Sequence, residues 1–429
     1  MYFFENYSNS LKDVLLKSKA SQPIYETLNG FDGEVEVRKF LALENKQQIQ
    51  PLERPKVAFQ YDDSVLRKLF GINPFSFVDT KSGRHPDFMD VGENDCIYHH
   101  CISVFIDIVA STKLIGKYNL EDVRLIKDSI LTLAIRVASQ LGGHVQRLQG
   151  DGIFLQFVRR DKNELDSIIN ALNATSILTS FITTDLAEIM QAQEIDPLEI
   201  RVGIDYGREE DVLWSYYGIP GCGELTTTSL HTDMAAKLQG KAIANTILIG
   251  NNVYEALDLE KFIKNHWESP YKITKNLDYK FFEFNWQKYL LSHPFICRNT
   301  SDSNKLKIEL PNENTLYINC YIADEDGLNE EKYFPNSKSI PKNKKIRYEL
   351  MQGNNPYMLK AGDKIEWIVH NTGWQAKKRE QISFELVNQT ITANTSAAYL
   401  GHHHIECKIS NKQNYLGLPK NILFPIFVR

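Results

Sequence analysis

Two aspartates stand in frames suited to phosphoryl chemistry. Asp107 ends the apolar run Cys101-Ile-Ser-Val-Phe-Ile-Asp-Ile-Val109 and is followed at once by Ala110, Ser111 and Thr112. Asp151 sits in Gln149-Gly-Asp-Gly152, between two further strand-like runs. Carboxylates fixed on neighbouring strands, with the backbone carbonyl of Ile108 beside them, supply the oxygen ligands that Mg²⁺ or Mn²⁺ take. Two divalent ions per site would clamp the attacking and leaving oxygens of an in-line displacement at phosphorus. The small residues Ala110, Ser111 and Thr112 let backbone N–H groups approach a phosphate, and the helix start beyond them favours an anion. Taken alone, Asp151 is more simply a turn residue; the joint arrangement with Asp107 is what points to a metal–nucleotide site.

The elements that position these residues follow from hydrophobic period. Residues 101–109 read as a buried strand, with Val104, Phe105, Ile106 and Ile108 crowded together. Residues 121–141 repeat apolar side chains at three- and four-residue spacing, an amphipathic helix closed by Gly142-Gly143. Two short strands around Gly-Asp-Gly make a hairpin, a long helix follows near 164–190, and 199–206 reads as a strand stopped by Gly207. An irregular loop rich in glycine and aromatics then leads to a helix over 229–239 and a strand over 245–249. The expected class is α/β, a mixed sheet with helices, followed by an all-β, sandwich-like domain. That second part shows seven short β-type runs, at 315–322, 345–350, 364–370, 381–386, 390–395, 403–409 and 422–428. Domain boundaries are expected as an N-terminal extension over 1–95, punctuated by Pro51, Pro55, Pro74 and Pro86, an α/β unit over 96–290, a linker over 291–304 and the β-rich domain over 305–429.

The motifs resemble the class III nucleotidyl cyclases, the adenylate and guanylate cyclase family. Phe105-Ile-Asp107-Ile-Val-Ala-Ser111-Thr112 matches that family's first metal-aspartate frame, Gly150-Asp151 its second, and Val202-Gly203-Ile204-Asp205-Tyr206-Gly207 its following strand. The resemblance covers about 96–260 and implies a ferredoxin-like fold there. It implies metal ligation by Asp107, Ile108 and Asp151, substrate contacts from Phe105, Ile108, Ala110, Ser111 and Thr112, and a homodimer whose sites draw on both protomers. It also places base reading on Arg147 and on Thr226 or Thr227, and ribose and triphosphate bracing on Asp233 and Lys237. These last two depart from the family's Asn and Arg, and Lys237 loses bidentate geometry.

Arg147 offers only donors. Guanine would need an acceptor there, whereas uracil presents two carbonyl acceptors, so UTP is the expected substrate and cyclic UMP the product. CTP is the near alternative, then ATP; a catalytically inactive nucleotide-binding scaffold is the reading from a different class. No histidine or glutamate stands out as the base that removes the ribose 3′ proton. The C-terminal part resembles the AGS-C sensor domains attached to the pyrimidine cyclases of bacterial Pycsar antiphage systems. That resemblance implies a cyclic pyrimidine messenger read by a separate effector protein.

Composition narrows the partners. A net charge of −5 over 429 residues gives no basic footprint, so no nucleic-acid partner is expected. No apolar run approaches the roughly 20 residues of a membrane span, and the N-terminus lacks a signal-peptide pattern. Six cysteines without a CxxC pair read as thiols of a cytoplasmic protein. His402, His403 and His404 cannot converge on one metal from a strand, because alternate residues face opposite sides. Trp214, Tyr216 and Tyr217 are expected in a substrate channel or in aromatic packing, and Trp367 and Trp374 in or beside the sandwich core.

Overall fold

The computed structural model describes residues 3–19, 61–219, 222–266, 270–275, 277–300, 302, 305–386, 389–411 and 420–429. Pro51 and Pro55 lie outside them. The cyclase-like half contains β1 (Cys96–Tyr98), β2 (Cys101–Ile108), β3 (Gly143–Gln149), β4 (Gly152–Phe157), β5 (Ile200–Gly207), β6 (Leu213–Ile219), β7 (Cys222–Thr228), β8 (Thr246–Gly250), β9 (Ile263–His266), β10 (Tyr271–Thr274), β11 (Leu277–Tyr279) and β12 (Phe281–Phe284). Seven of these form one sheet in the order β3-β4-β2-β5-β8-β12-β9, antiparallel except at the parallel pair β5–β8. The expected mixed sheet is therefore present.

Strand β2 is central because one face of it is wholly apolar. Ile102, Val104, Ile106 and Ile108 are buried with the helices Leu120–Gln140 and Glu164–Phe181, while Phe105 and Asp107 on the other face stay half-open. Those helices start where side chains cap free N–H groups: Asn119 accepts from Asp122 N at 2.8 Å and Asn163 from Leu165 N at 3.0 Å. The helix Glu164–Phe181 is buried on every side from Ser167 onward, its small polar residues included. It is covered by the sheet, by Phe4 and Tyr7 at the N-terminal helix Glu5–Lys19, and by the C-terminal domain, where Asn173 Nδ2 donates to Asn336 O at 2.9 Å. No helix among the described residues is long and apolar enough to cross a membrane.

On the open face lies the helix Leu230–Lys241. Its backbone comes so close to β5 that any Cβ at Gly203 would run into Ala235 O and Gln239 N. The glycine in Val202-Gly203-Ile204 is thus a helix-docking requirement. The segment expected to be an irregular loop is instead a hairpin, β6 paired with β7, with β1 on its outer edge. The missed sequence signal is Pro220-Gly221 between two β-type runs.

All seven C-terminal runs are strands. They belong to two five-stranded sheets packed face to face around Ile318, Cys320, Tyr348, Ile365, Trp367, Cys407 and Phe424. Trp367 donates Nε1–H to Thr390 O inside that core. Trp374 is the exception to expectation: it is 68% exposed, on the short helix Gly373–Lys378. Within 291–304, Ile296–Arg298 pairs with Leu306–Ile308, and His293 is buried with Nε2 on Leu69 O at 3.1 Å. His402 and His403 are buried apart, on Asn336 and on Tyr399 O, while the His404 ring stacks on His370.

Past Phe181 the long helix takes one wider turn, Ile182–Leu186. It holds Asp185 buried, with Oδ1 accepting from Thr184 Oγ1 at 3.2 Å and Oδ2 without a partner among the described residues. Burial pushes its carboxyl up to about 7. The folded state therefore keeps this proton while the unfolded chain loses it near the ordinary 3.8, so the contribution of this group to stability falls from pH 4 to 7 and is level above. Replacing the acid by its neutral isostere removes that loss. The Asp185→Asn variant is expected to gain on the wild type across this window, by about 4 kcal/mol at most. Urea denaturation at pH 4 to 8 measures it; a difference that does not change with pH would contradict the assignment.

Candidate active site

The register of the sheet brings the two sequence-identified carboxylates to one edge. Ile106 pairs with Ile153, so Asp107 lies across from Gly152, the residue after Asp151. Gly150 makes the turn with φ 66°. A Cβ on Gly152 would stand 3.2 Å from Ile106 O, tight against the backbone, and in ordinary contact, 3.5 Å, with Asp107 Oδ1.

Each carboxylate has a cation beside it that the sequence did not reveal. Asp107 Oδ2 accepts from Arg201 Nη2 at 2.7 Å, Arg201 Nε at 3.1 Å and Gln239 Nε2 at 3.3 Å. Arg201 is its cross-strand neighbour on β5, and Gln239 reaches down from the helix on the open face. Asp151 Oδ1 lies 3.8 Å from Lys127 Nζ. Among the described residues no group of three or more His, Cys, Asp or Glu gathers. Two hard carboxylates and a backbone carbonyl fit an ion that takes its other ligands from a triphosphate and water.

Beyond β2, Ala110 takes a left-handed φ of 52°, uncommon for a residue with a Cβ. Its carbonyl accepts from Lys113 N at 2.9 Å, which starts the short helix Thr112–Lys117. Ala110 and Thr112 are exposed while Ser111 is buried. Phe105 stacks on Phe154 with ring centroids 4.3 Å apart. Asp233 and Lys237, one turn apart, both point away from the protein.

Strand β3 bulges between Val145 and Arg147. The bulge turns Gln146 inward, where Nε2 donates to Leu225 O at 2.9 Å, and Arg147 outward. There Arg147 forms an ion pair with Glu224 of β7, a residue the sequence reading passed over. Alternation along β7 puts Thr226 on the same side as Glu224 and turns Thr227 in, where its hydroxyl meets Thr232 Oγ1 at 2.9 Å. Trp214 and Phe88 stack in a small core beneath this hairpin, with Trp214 Nε1 on His99 O, while Tyr217 is 49% exposed.

The chain is 35% identical over 386 residues to a cytidylate cyclase of Staphylococcus aureus, covering 86% of this chain and 89% of that one. The chain belongs to the pyrimidine nucleotide cyclases. A cytidylate cyclase of Escherichia coli is 29% identical over 85% of this chain and 82% of its own. The model of the Adenylyl/Guanylyl and SMODS C-terminal sensor domain matches residues 297–426. Among solved structures, the adenylyl cyclase CyaB from P. aeruginosa superposes on 44% of this chain and 95% of its own, with a TM-score of 0.40 and 18% identity.

In this cyclase a buried polar cluster anchors the start of the helix that carries Asp233 and Lys237. Ser229 caps it, accepting from His231 N at 3.1 Å. His231 Nδ1 donates to Asp205 Oδ2 at 2.9 Å, Tyr279 donates to the same oxygen, and Asp205 Oδ1 accepts from Tyr206 N at 2.8 Å. Burial raises the Asp205 carboxyl; His231 is also held above its usual value, because the pairing with Asp205 outweighs burial. Removing the imidazole strands a fully buried carboxyl. The His231→Leu change is expected to cost about 3 kcal/mol and Tyr279→Phe about 1 kcal/mol in chemical denaturation. Equal, negligible losses would mean that the cluster carries no stability.

Proposed function

We propose that the chain is a cytidylate cyclase, converting CTP to 3′,5′-cyclic CMP and pyrophosphate. The sequence alone ranks UTP first, because Arg147 offers only donors. Glu224 reverses that order. Cytosine presents carbonyl and ring-nitrogen acceptors beside an amino donor. Arg147 supplies donors for the acceptors, and Glu224, paired to it on the same face, supplies the acceptor for the amino group. The names of the Staphylococcus aureus and Escherichia coli relatives agree with this reading.

The residue roles follow from position. Asp107, Asp151 and the Ile108 carbonyl would hold two Mg²⁺ or Mn²⁺ ions, which would supply positive charge against the triphosphate and the reacting oxygens. Ala110, Ser111 and Thr112 offer backbone N–H groups to the phosphates, and Phe105 forms part of the floor. Arg147, Glu224 and Thr226 read the base. Arg201 and Gln239 hold the Asp107 carboxylate in its orientation. The ribose 3′-oxygen attacks the α-phosphorus, its proton leaves to water or to a substrate phosphate, and pyrophosphate departs. Asp233 and Lys237 face outward in one chain, which supports a homodimer in which they brace the substrate held by the partner. Kinship with Pycsar-type cyclases supports a messenger role for the product in antiphage defence, read by a separate effector.

The test is turnover of each of the four nucleoside triphosphates by purified protein with Mn²⁺. Cyclic CMP from CTP is the expected main product. Glu224→Thr is expected to lower kcat/KM for CTP relative to UTP by about ten-fold or more. Product from UTP alone would restore the uridylate reading, and no product from any triphosphate would support an inactive scaffold.

A further inference from the structure

A cleft of about 970 Å³ opens where the end of the cyclase half, the connecting segment and the C-terminal sandwich meet. Its size is at the upper end of the roughly 300–1,000 Å³ typical of small-molecule sites. It lies on none of the residues assigned above to the reaction. Its charge is one-sided. Lys261, from the segment before β9, and Lys288, on the helix Trp286–Leu290, both line it. The carboxylate on its wall, Glu309, is already paired with Lys307.

Lys261 is the telling group. Its Nζ donates to His402 O at 3.3 Å and sits 5.0 Å from the Phe262 ring centroid, and no carboxylate pairs with it among the described residues. Burial, with Lys288 nearby, pulls its ammonium down to about 8, while Asp258 pulls weakly the other way. A desolvated cation without a counter-ion is costly, and an incoming anion offsets that cost. The lining is also aromatic: Phe295 and Tyr317 meet edge to face with centroids 5.6 Å apart. Such rings accept the flat face of a base.

We propose that this interdomain cleft is a second nucleotide site, with Lys261 and Lys288 taking the phosphate and Phe295 and Tyr317 the base. The site is independent of the catalytic reading, and the experiment separates the two. The full chain carrying Asp107→Asn and Asp151→Asn, kept free of metal with EDTA, is titrated calorimetrically with cyclic CMP, UMP, GMP and pyrophosphate. At least one nucleotide is expected to bind at one site per chain. Lys261→Met and the exposed Lys288→Ala should each weaken it by about ten-fold or more, with Lys261→Arg retaining most of the affinity. No nucleotide binding tighter than about 1 mM overturns the proposal. So does binding that both lysine changes leave intact, and pyrophosphate binding as tightly as any nucleotide overturns the role of the aromatic wall.

Discussion

The antiparallel register between β2 and β4 is the constraint on which the rest of the molecule depends. It places Asp107 across from Gly152 and so beside Asp151. A slip of one residue would turn Asp107 into the helical layer and put Ile106 in its place on the open face. Burial of Ile102, Val104, Ile106 and Ile108 forbids that slip. The force that forms the core therefore also sets the strand positions from which the carboxylates project. Gly152 lets the hairpin close against the Ile106 carbonyl, which a Cβ would meet at 3.2 Å.

A second close approach builds the other half of the site. Because Gly203 has no side chain, the helix Leu230–Lys241 settles onto β5, bringing Gln239 to Asp107 and leaving Asp233 and Lys237 facing outward. The Asp205–His231–Tyr279 cluster fixes the far end of the same helix. The clamp on Asp107 also continues away from the site. Arg201 follows Ile200, whose N–H donates to Asn245 Oδ1 at 3.2 Å, and Asn245 O accepts from Trp286 Nε1 at 3.1 Å. Trp286 begins the helix that carries Lys288, on the wall of the interdomain cleft. Hydrogen bonds and short backbone links thus connect the helix that carries Lys288 to the strand end that faces Asp107.

What the sequence made legible was whatever one strand or helix carries by itself. Asp107 and Asp151 flank apolar strands, Val202-Gly203-Ile204 has a local signature, and the seven C-terminal runs alternate plainly. What stayed hidden arises between elements. Arg201 meets Asp107 only through cross-strand register, Gln239 only through helix docking, and Lys127 only because its helix passes the hairpin. Glu224 lies on a strand that glycine and aromatic content disguised as a loop, so Arg147 looked unpaired and the base preference leaned toward uracil. Thr226 and Thr227 were inseparable until alternation along β7 turned one outward and one inward. Trp374 shows the limit of composition, since an isolated tryptophan carries no sign of which side of a short helix it occupies.

The central claim is that the side chains at 107 and 151 hold the same cations. Mn²⁺ binding, followed by electron paramagnetic resonance in the presence of a non-cleavable CTP analogue, tests it directly. The wild type is expected to take up about two ions per site. Asp107→Asn and Asp151→Asn, each alone, are expected to abolish most of that binding, and the double change to add little more. Independent, additive losses from the two single changes, or full Mn²⁺ uptake by either variant, would contradict a shared site.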